Sequence, residues 1–393
     1  MTSQVPESAQ RSKPRRTGAR HTLLLVGASG VFGRRLAEQI VNEPGFDLIL
    51  AGRNEPRLEA LRKTLKGPAR IARLDRTGIG AADLRRLGAS LVIDAAGPFQ
   101  ASGFALVEAA IEAGVHYIDL ADGRDFVMNI RRFDRVARAR RVTVLSGAST
   151  TPALSHAVID RLTGGWRRID ELLVAVSPGN RAPRGPSVTR AIFSYAGKPV
   201  RVFRASRWTT APGWGLTRRL AFPGLGERLV SLCETPDLDL LVERYQPTGS
   251  AEFLAGLELD LLHRGLALAS EAVRRGLLPS LTPFVRLALA VASLLDTFGE
   301  DRGGMVVRAR GEDGAGRPLS ALWSLAAAPG LGPYVPTLAA LALVRQLRDG
   351  QLTWRGAGPC VGLLALEDFE GDFARYGYDM RTGRASPAPT RAL

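Results

Sequence analysis

The chain has 393 residues, 45% hydrophobic and 23% charged, the balance of an ordinary globular protein with room for two or three domains. Its net charge of +15 is carried almost wholly by dispersed arginines, with lysine only at Lys13, Lys63, Lys66 and Lys198. No aromatic stripe runs among them, so a nucleic-acid groove is not expected, while attraction of anionic small molecules is.

Residues 1–20 are polar and basic and lack the apolar centre of a secretory leader. They read as a disordered tail on a cytoplasmic protein. The longest apolar run, Leu287–Leu295, is far shorter than the roughly 20 residues a spanning helix needs. The two cysteines, Cys233 and Cys360, provide neither a disulfide framework nor metal-ligand spacing. No metal is expected.

From 21 to 150, short Leu/Ile/Val runs alternate with amphipathic segments. The runs at 22–26, 47–51, 69–74, 91–95, 116–120 and 142–146 predict strands, and 31–42, 55–66, 80–88, 101–114 and 123–141 predict helices. Strands apolar on both faces and separated by helices predict a doubly wound parallel sheet, the Rossmann arrangement, in an α/β protein.

The first strand runs into Gly27-Ala28-Ser29-Gly30-Val31-Phe32-Gly33 and then a helix. Gly27 permits the tight turn, Gly30 lets backbone approach a pyrophosphate, and Gly33 lets the helix lie close to the strand. The uncapped helix start offers N–H groups and partial positive charge to phosphates. The second strand ends at Arg53-Asn54, where an NAD enzyme usually carries an acid for the ribose hydroxyl. A guanidinium suits a 2′-phosphate instead, so NADP is the expected cofactor.

Asp75, after the third strand, either touches the adenine or caps a helix. Ala96-Gly97-Pro98, after the fourth, is expected to line the nicotinamide side, because ligands of open α/β sheets bind beyond the carboxyl ends of strands. Tyr117 and Asp119 on the fifth strand are the candidate catalytic residues; Asp119 and Asp122 either relay a proton or bind a substrate ammonium, or Asp119 bonds local backbone and Asp122 caps the next helix. The 146–152 segment leads into the next domain as a hinge or a contact to both ligands. His116 and His156 read as structural.

Residues 151–345 predict an α+β domain. Strands are expected at 171–177, 188–197 and 200–208, with GKP (197–199) as a tight turn, and a hairpin at 305–311 and 317–326. Close strands joined by short turns predict a mostly antiparallel sheet. Segment 251–298 reads as an unusually apolar helical region and 334–350 as a further helix. Residues 346–393 are expected to return to the first domain. Tyr195 and Lys198 are one residue too close for a Tyr-x-x-x-Lys pair and lie at the predicted turn, and Cys233 has no recognisable strand-exit context for a nucleophile. No G-x-S-x-G or HExxH occurs.

VGASGVFGRRLAE, LAGRN, VIDAAGPFQ, the EAAIEAGVHYIDLAD stretch and the SGAST–TPALS exit together resemble the saccharopine dehydrogenase/reductase-like family over residues 22–160. A weaker likeness continues in DRGGM, GPYVPTLAALAL and PCVGLLALEDF. The resemblance implies a Rossmann domain with an α+β substrate and dimerisation domain, use of NADP(H), and cofactor contacts at Gly27, Gly30, Gly33, Arg53 and Gly97. No saccharopine-binding residue set is recognisable, and 251–298 is apolar. The expected activity is therefore NADP(H)-dependent oxidoreduction of a partly apolar carbonyl, imine or enoyl compound by a homodimer. The alternative is a non-catalytic NADP-binding protein that associates, or contacts a membrane surface, through 251–298.

Overall fold

A strand with no polar face must be covered on both sides, which requires helical crossovers in both directions. The computed structural model describes residues 20–183 and 185–384, and the expected tail at 1–20 falls outside these except for Arg20. Six apolar runs form parallel strands: β1 (His21–Val26), β2 (Phe46–Gly52), β3 (Ala69–Arg73), β4 (Leu91–Asp94), β5 (His116–Asp119) and β6 (Thr143–Ser146). Their order is β3-β2-β1-β4-β5-β6, and a strand from Gly356–Pro359 extends the β6 edge. Strands are added to one side of β1 up to β3 and to the other side from β4 onward, and this switch point sets where the first glycine loop opens. The predicted helix at 123–141 is divided into Arg124–Asn129, a tight turn at Ile130–Phe133, and Asp134–Ala139. Asp134, at the break, accepts the Ala357 amide of the added strand at 3.0 Å.

The second sheet comprises β7 (Arg168–Ser177), β8 (Pro199–Arg204), β9 (Arg207–Pro212), β10 (Arg218–Phe222), β11 (Gly226–Leu232), β12 (Ser250–Gly256), β13 (Gly304–Glu312) and β14 (Pro318–Ala326). The strand Gly356–Pro359 of the first sheet is β15, and β16 (Asp379–Gly383) returns to the edge of the second. The order is β10-β11-β12-β7-β13-β14-β16, with β8 and β9 attached at β12. The β7/β12 pair is parallel and the others are antiparallel. The protein is thus an α/β chain of a Rossmann sheet and a mixed, mostly antiparallel second sheet.

Three local expectations are corrected. Residues 188–197 form no strand: Pro186–Tyr195 is a helix. Pro186 occupies its first turn, where a missing N–H costs nothing, and Val188, Ile192 and Tyr195 recur at helical spacing. The segment 200–208 is a hairpin, turning at Ala205–Ser206 with φ of 49° and 62°, the conformation that matches strand twist in a two-residue turn. The helical region expected from 251 begins with strand β12. Its helices are Asp260–Arg274 and Val285–Leu294.

One apolar cluster joins both sheets. It runs from Leu23 and Leu25 on β1 through Leu172 and Val174 on β7 to Met305 and Val307 on β13, with helix Leu338–Arg348 wedged alongside. Among the described residues no helix is long and apolar enough to cross a membrane.

Candidate functional site

The glycine loop leaves β1 at the switch point. Gly27 has φ of +76°, and a Cβ there would meet the Ala96 amide nitrogen at 2.7 Å, so the turn and the β4 exit loop fit against each other only without a side chain. A Cβ on Gly33 would run into the Gly27 carbonyl and the Ala28 Cα, which holds helix Val31–Ile40 close to the strand. Gly30 caps that helix with no side-chain bond. The first-turn amides therefore have no intrahelical partner and face the exposed Ser29–Gly30 surface. Unpaired amides at a helix start behind a tight glycine turn are a geometry that can donate to the oxygens of an anion.

Arg53 stands exposed at the end of β2. Its charge helps hold the Asp75 carboxyl below its ordinary range, although the bonds from Thr77 are the larger cause. Asp75 accepts the Thr77 amide at 3.1 Å and its hydroxyl at 2.9 Å, so it closes a turn and caps no helix. Asn54 is a helix cap, accepting the Arg57 amide at 3.0 Å. Ala96, Gly97 and Pro98 line the switch point. Asp94 accepts the Ala96 amide at 2.9 Å, and Arg76 binds the Ala96 carbonyl and stands 3.2 Å from Asp94. Burial still pushes the Asp94 carboxyl up.

The two expected catalytic residues are both fully buried. One Asp119 oxygen accepts the Ala121 amide (2.9 Å), the Gly147 amide (2.8 Å) and the Ser146 hydroxyl (2.9 Å). That side chain joins the exits of β5 and β6, and burial pushes its carboxyl up to about 7. Tyr117 lies in the core with its hydroxyl 3.5 Å from Asp94, and burial raises its phenol well above the usual range. Neither presents an atom to a ligand, because the Asp119 exit turn folds its carboxylate back into the sheet. Asp119 is a positioning residue for the loops. His156 is likewise in the core, stacked on Tyr245 at 5.3 Å, and burial lowers its imidazole to about 3. No group of three metal-ligating side chains occurs among the described residues.

The second domain brings together Tyr195 and Cys233, which no motif pairs in the sequence. Helix Pro186–Tyr195 begins at the glycine loop and the β4 exit loop: Ser187 donates to the Gly97 carbonyl at 3.2 Å, and Gly185 lies beside Val31. About 12 Å further along the helix axis from Ser187, the Tyr195 hydroxyl lies 3.0 Å from the Cys233 sulfur. Tyr195 closes the helix and opens the expected turn, its carbonyl accepting the Lys198 amide at 2.9 Å, and Cys233 directly follows β11, a strand exit hidden by the charged start of GERLVSL. Asp122, on the β5 exit, accepts from Gln100 at 3.2 Å. Burial raises the Tyr195 phenol well above its ordinary range and brings the Cys233 thiol to about 12; burial also raises the Asp122 and Glu234 carboxyls. The adjacent arginines are occupied: Arg124 and Arg201 both bind Asp239, at 2.7 and 2.6 Å, while the Lys198 charge acts on Glu234.

Residues 23–153, from the glycine-loop strand to the β6 exit, match the family model described as saccharopine dehydrogenase NADP binding domain. That stretch, about a third of the chain, is similar to the family. Beyond this stretch, the fold is similar to that of apo saccharopine dehydrogenase (L-Glu forming) from Saccharomyces cerevisiae. The TM-score is 0.66 over 93% of this chain and 100% of that one, at 12% identity. A curated Caenorhabditis elegans relative, named lipid droplet localized protein, is 30% identical over 148 residues. The match spans 34% of this chain and about a third (35%) of the relative's length.

Two open hollows lie away from the cleft, one of about 410 Å3 beside Asp160 and Leu363 and one of about 500 Å3 beside Glu171 and Arg310. Neither includes a residue of the glycine loop.

Proposed function

We propose that the chain is an NADP(H)-dependent oxidoreductase acting on a partly apolar carbonyl, imine or enoyl compound held between the Rossmann domain and helix Pro186–Tyr195. Bound cofactor supplies or removes a hydride. The glycine loop holds its diphosphate, Arg53 accepts the extra phosphate, and the Ala96–Pro98 loop borders the reactive ring. The family likeness of residues 23–153 supports the cofactor class.

The observation that carries the reading is the Tyr195–Cys233 contact at the far end of the helix that Ser187 fastens to Gly97. Burial keeps phenol and thiol protonated through neutral pH. A hydroxyl held so can donate to an oxygen or nitrogen that gains negative charge. Asp122 and Gln100 border the same end. The neighbouring arginines are committed to Asp239, which leaves them unsuited to a diacid, and this supports an uncharged reacting end. The lipid-droplet name of the C. elegans relative supports apolar substrates.

The test is NADPH oxidation with a panel of medium-chain aldehydes, imines and enoyl thioesters. Tyr195→Phe is expected to lower kcat by roughly 100-fold or more with nucleotide affinity unchanged. An unchanged kcat in the variant would remove Tyr195 from the chemistry. No turnover across the panel would remove the enzyme reading.

A further inference from the structure

The helical segment 260–298 leaves much of its apolar surface uncovered. Its inner side is well anchored. His263 is bonded to Ser231 at 2.9 Å and lies against Trp214, and Leu266, Val273, Leu281, Val285 and Leu289 join the cluster around Phe193 and Trp214. Its outer side carries Phe284, Leu287, Val291, Leu294 and Phe298, which are 42% to 78% exposed. Their spacing of three, four, three and four residues draws one stripe along the helix and its continuation. Leu261 and Leu268 on the preceding helix are 69% and 72% exposed. Single exposed leucines are ordinary, but a register of this kind marks a surface that is covered in use.

Charge distinguishes the occupants. From 260 to 298 the sequence holds Arg264, Arg274, Arg275 and Arg286 against Asp260, Glu271 and Asp296, of which Asp260 is paired with Arg219 and Asp296 also has a partner. Glu271 is already engaged by Arg274 and Arg275, while Arg264 and Arg286 have no ion-pair partner among the described residues. A second copy of the same face would bring the same cations and no free carboxylate, and like charges across an interface oppose docking. An anionic phospholipid surface accepts both features. Apolar side chains enter the headgroup boundary, and arginines meet the phosphates.

We propose that segment 260–298 docks this protein onto anionic phospholipid surfaces. The docking helix Val285–Leu294 packs on helix Pro186–Tyr195 through Val285, Ala288 and Leu289, so the docked face is one helix away from the proposed substrate site. This connection to apolar substrates rests on the function proposed above; the docking itself does not.

The experiment is co-sedimentation of the full chain with vesicles of phosphatidylcholine alone and of phosphatidylcholine mixed equally with phosphatidylglycerol, beside gel filtration without lipid. The wild type is expected to pellet with the anionic vesicles, less so at high salt, and to stay largely soluble with phosphatidylcholine. The double variant Leu287→Glu/Leu294→Glu, at exposed positions that leave the fold intact, is expected to lose partitioning by roughly 100-fold. Arg286→Glu is expected to weaken anionic-vesicle binding alone. Nucleotide titration of the same samples checks the fold and separates this outcome from the enzyme reading. Wild type remaining in the supernatant, or a stable dimer that the double variant dissociates without any vesicle binding, would overturn the proposal.

Discussion

A carboxylic acid walled off from water keeps its proton to higher pH than one in solution, and Asp119 is such a group. Its three hydrogen bonds favour the ionised form, yet burial outweighs them and its titration moves from 3.8 to about 7. Between those values the folded state holds a proton that the unfolded chain has released. Its contribution to stability is complete below the lower value and is lost as pH rises through the upper one, with a slope of up to about 1.4 kcal/mol per pH unit. Asp119→Asn should therefore be less sensitive to pH than wild type between about 4 and 7 in urea denaturation. Equal slopes would contradict the burial argument. At this scale the sequence was informative about glycines, whose turn and close approaches depend on neighbours along the chain. For Asp119 it left catalysis and local backbone bonding both open, because strand alternation says which face a side chain takes and not whether the exit loop closes over it; the structure shows the backbone bonds. Tyr195 and Cys233 meet across 38 positions, which no local pattern reports.

Elements of the first sheet are legible because burial on both faces makes each a continuous apolar run. Those of the second are half wet, and β10 and β11 begin with arginine or Gly-Glu. Arg218 and Arg228 are buried there only because Glu252 and the Ser177 backbone receive them, a pairing invisible in a hydropathy pattern. Helix Pro186–Tyr195 was read with the wrong period. The elements of the two sheets are clasped by Arg124, which opens the helix after β5, and Asp239, on helix Asp237–Tyr245. Both carboxylate oxygens are engaged at 2.7 Å, and Arg124 also binds the Arg201 carbonyl at 2.8 Å. Burial alone would raise the Asp239 carboxyl, but the bonds from Arg124 and Arg201 bring it below the ordinary range. Arg124→Met is expected to cost about 3 kcal/mol at neutral pH, measured by thermal or urea unfolding. Because Asp239 is depressed, its stabilisation is present above the ordinary carboxylate range and is lost as pH falls through its folded value. The penalty should shrink correspondingly in acid. A neutral substitution would show that the clasp is dispensable.

The whole molecule is one folding unit drawn from two sheets. The chain leaves the first sheet after β6, builds the second, then returns to the first with β15 and to the second with β16. Arg345, on helix Leu338–Arg348, ties Glu43 of the first domain to Asp372 near the carboxyl end, at 2.8 and 2.5 Å. With the apolar cluster shared between sheets, calorimetry is expected to show a single cooperative transition. Two resolved transitions would mean that the sheets melt independently. The return of β15 is written in only four residues, GAGP, too short and too small for any strand signal, so the architecture of the carboxyl-terminal part was the least legible from sequence.

The central claim is that the glycine loop and Arg53 together hold NADP. Isothermal titration of wild-type protein and Arg53→Ala with NADPH and NADH tests it most directly. Wild type should prefer NADPH by roughly ten- to hundredfold, and the substitution should remove that preference while leaving NADH affinity unchanged. Absence of heat with either nucleotide, or equal affinities in the wild type, would contradict it.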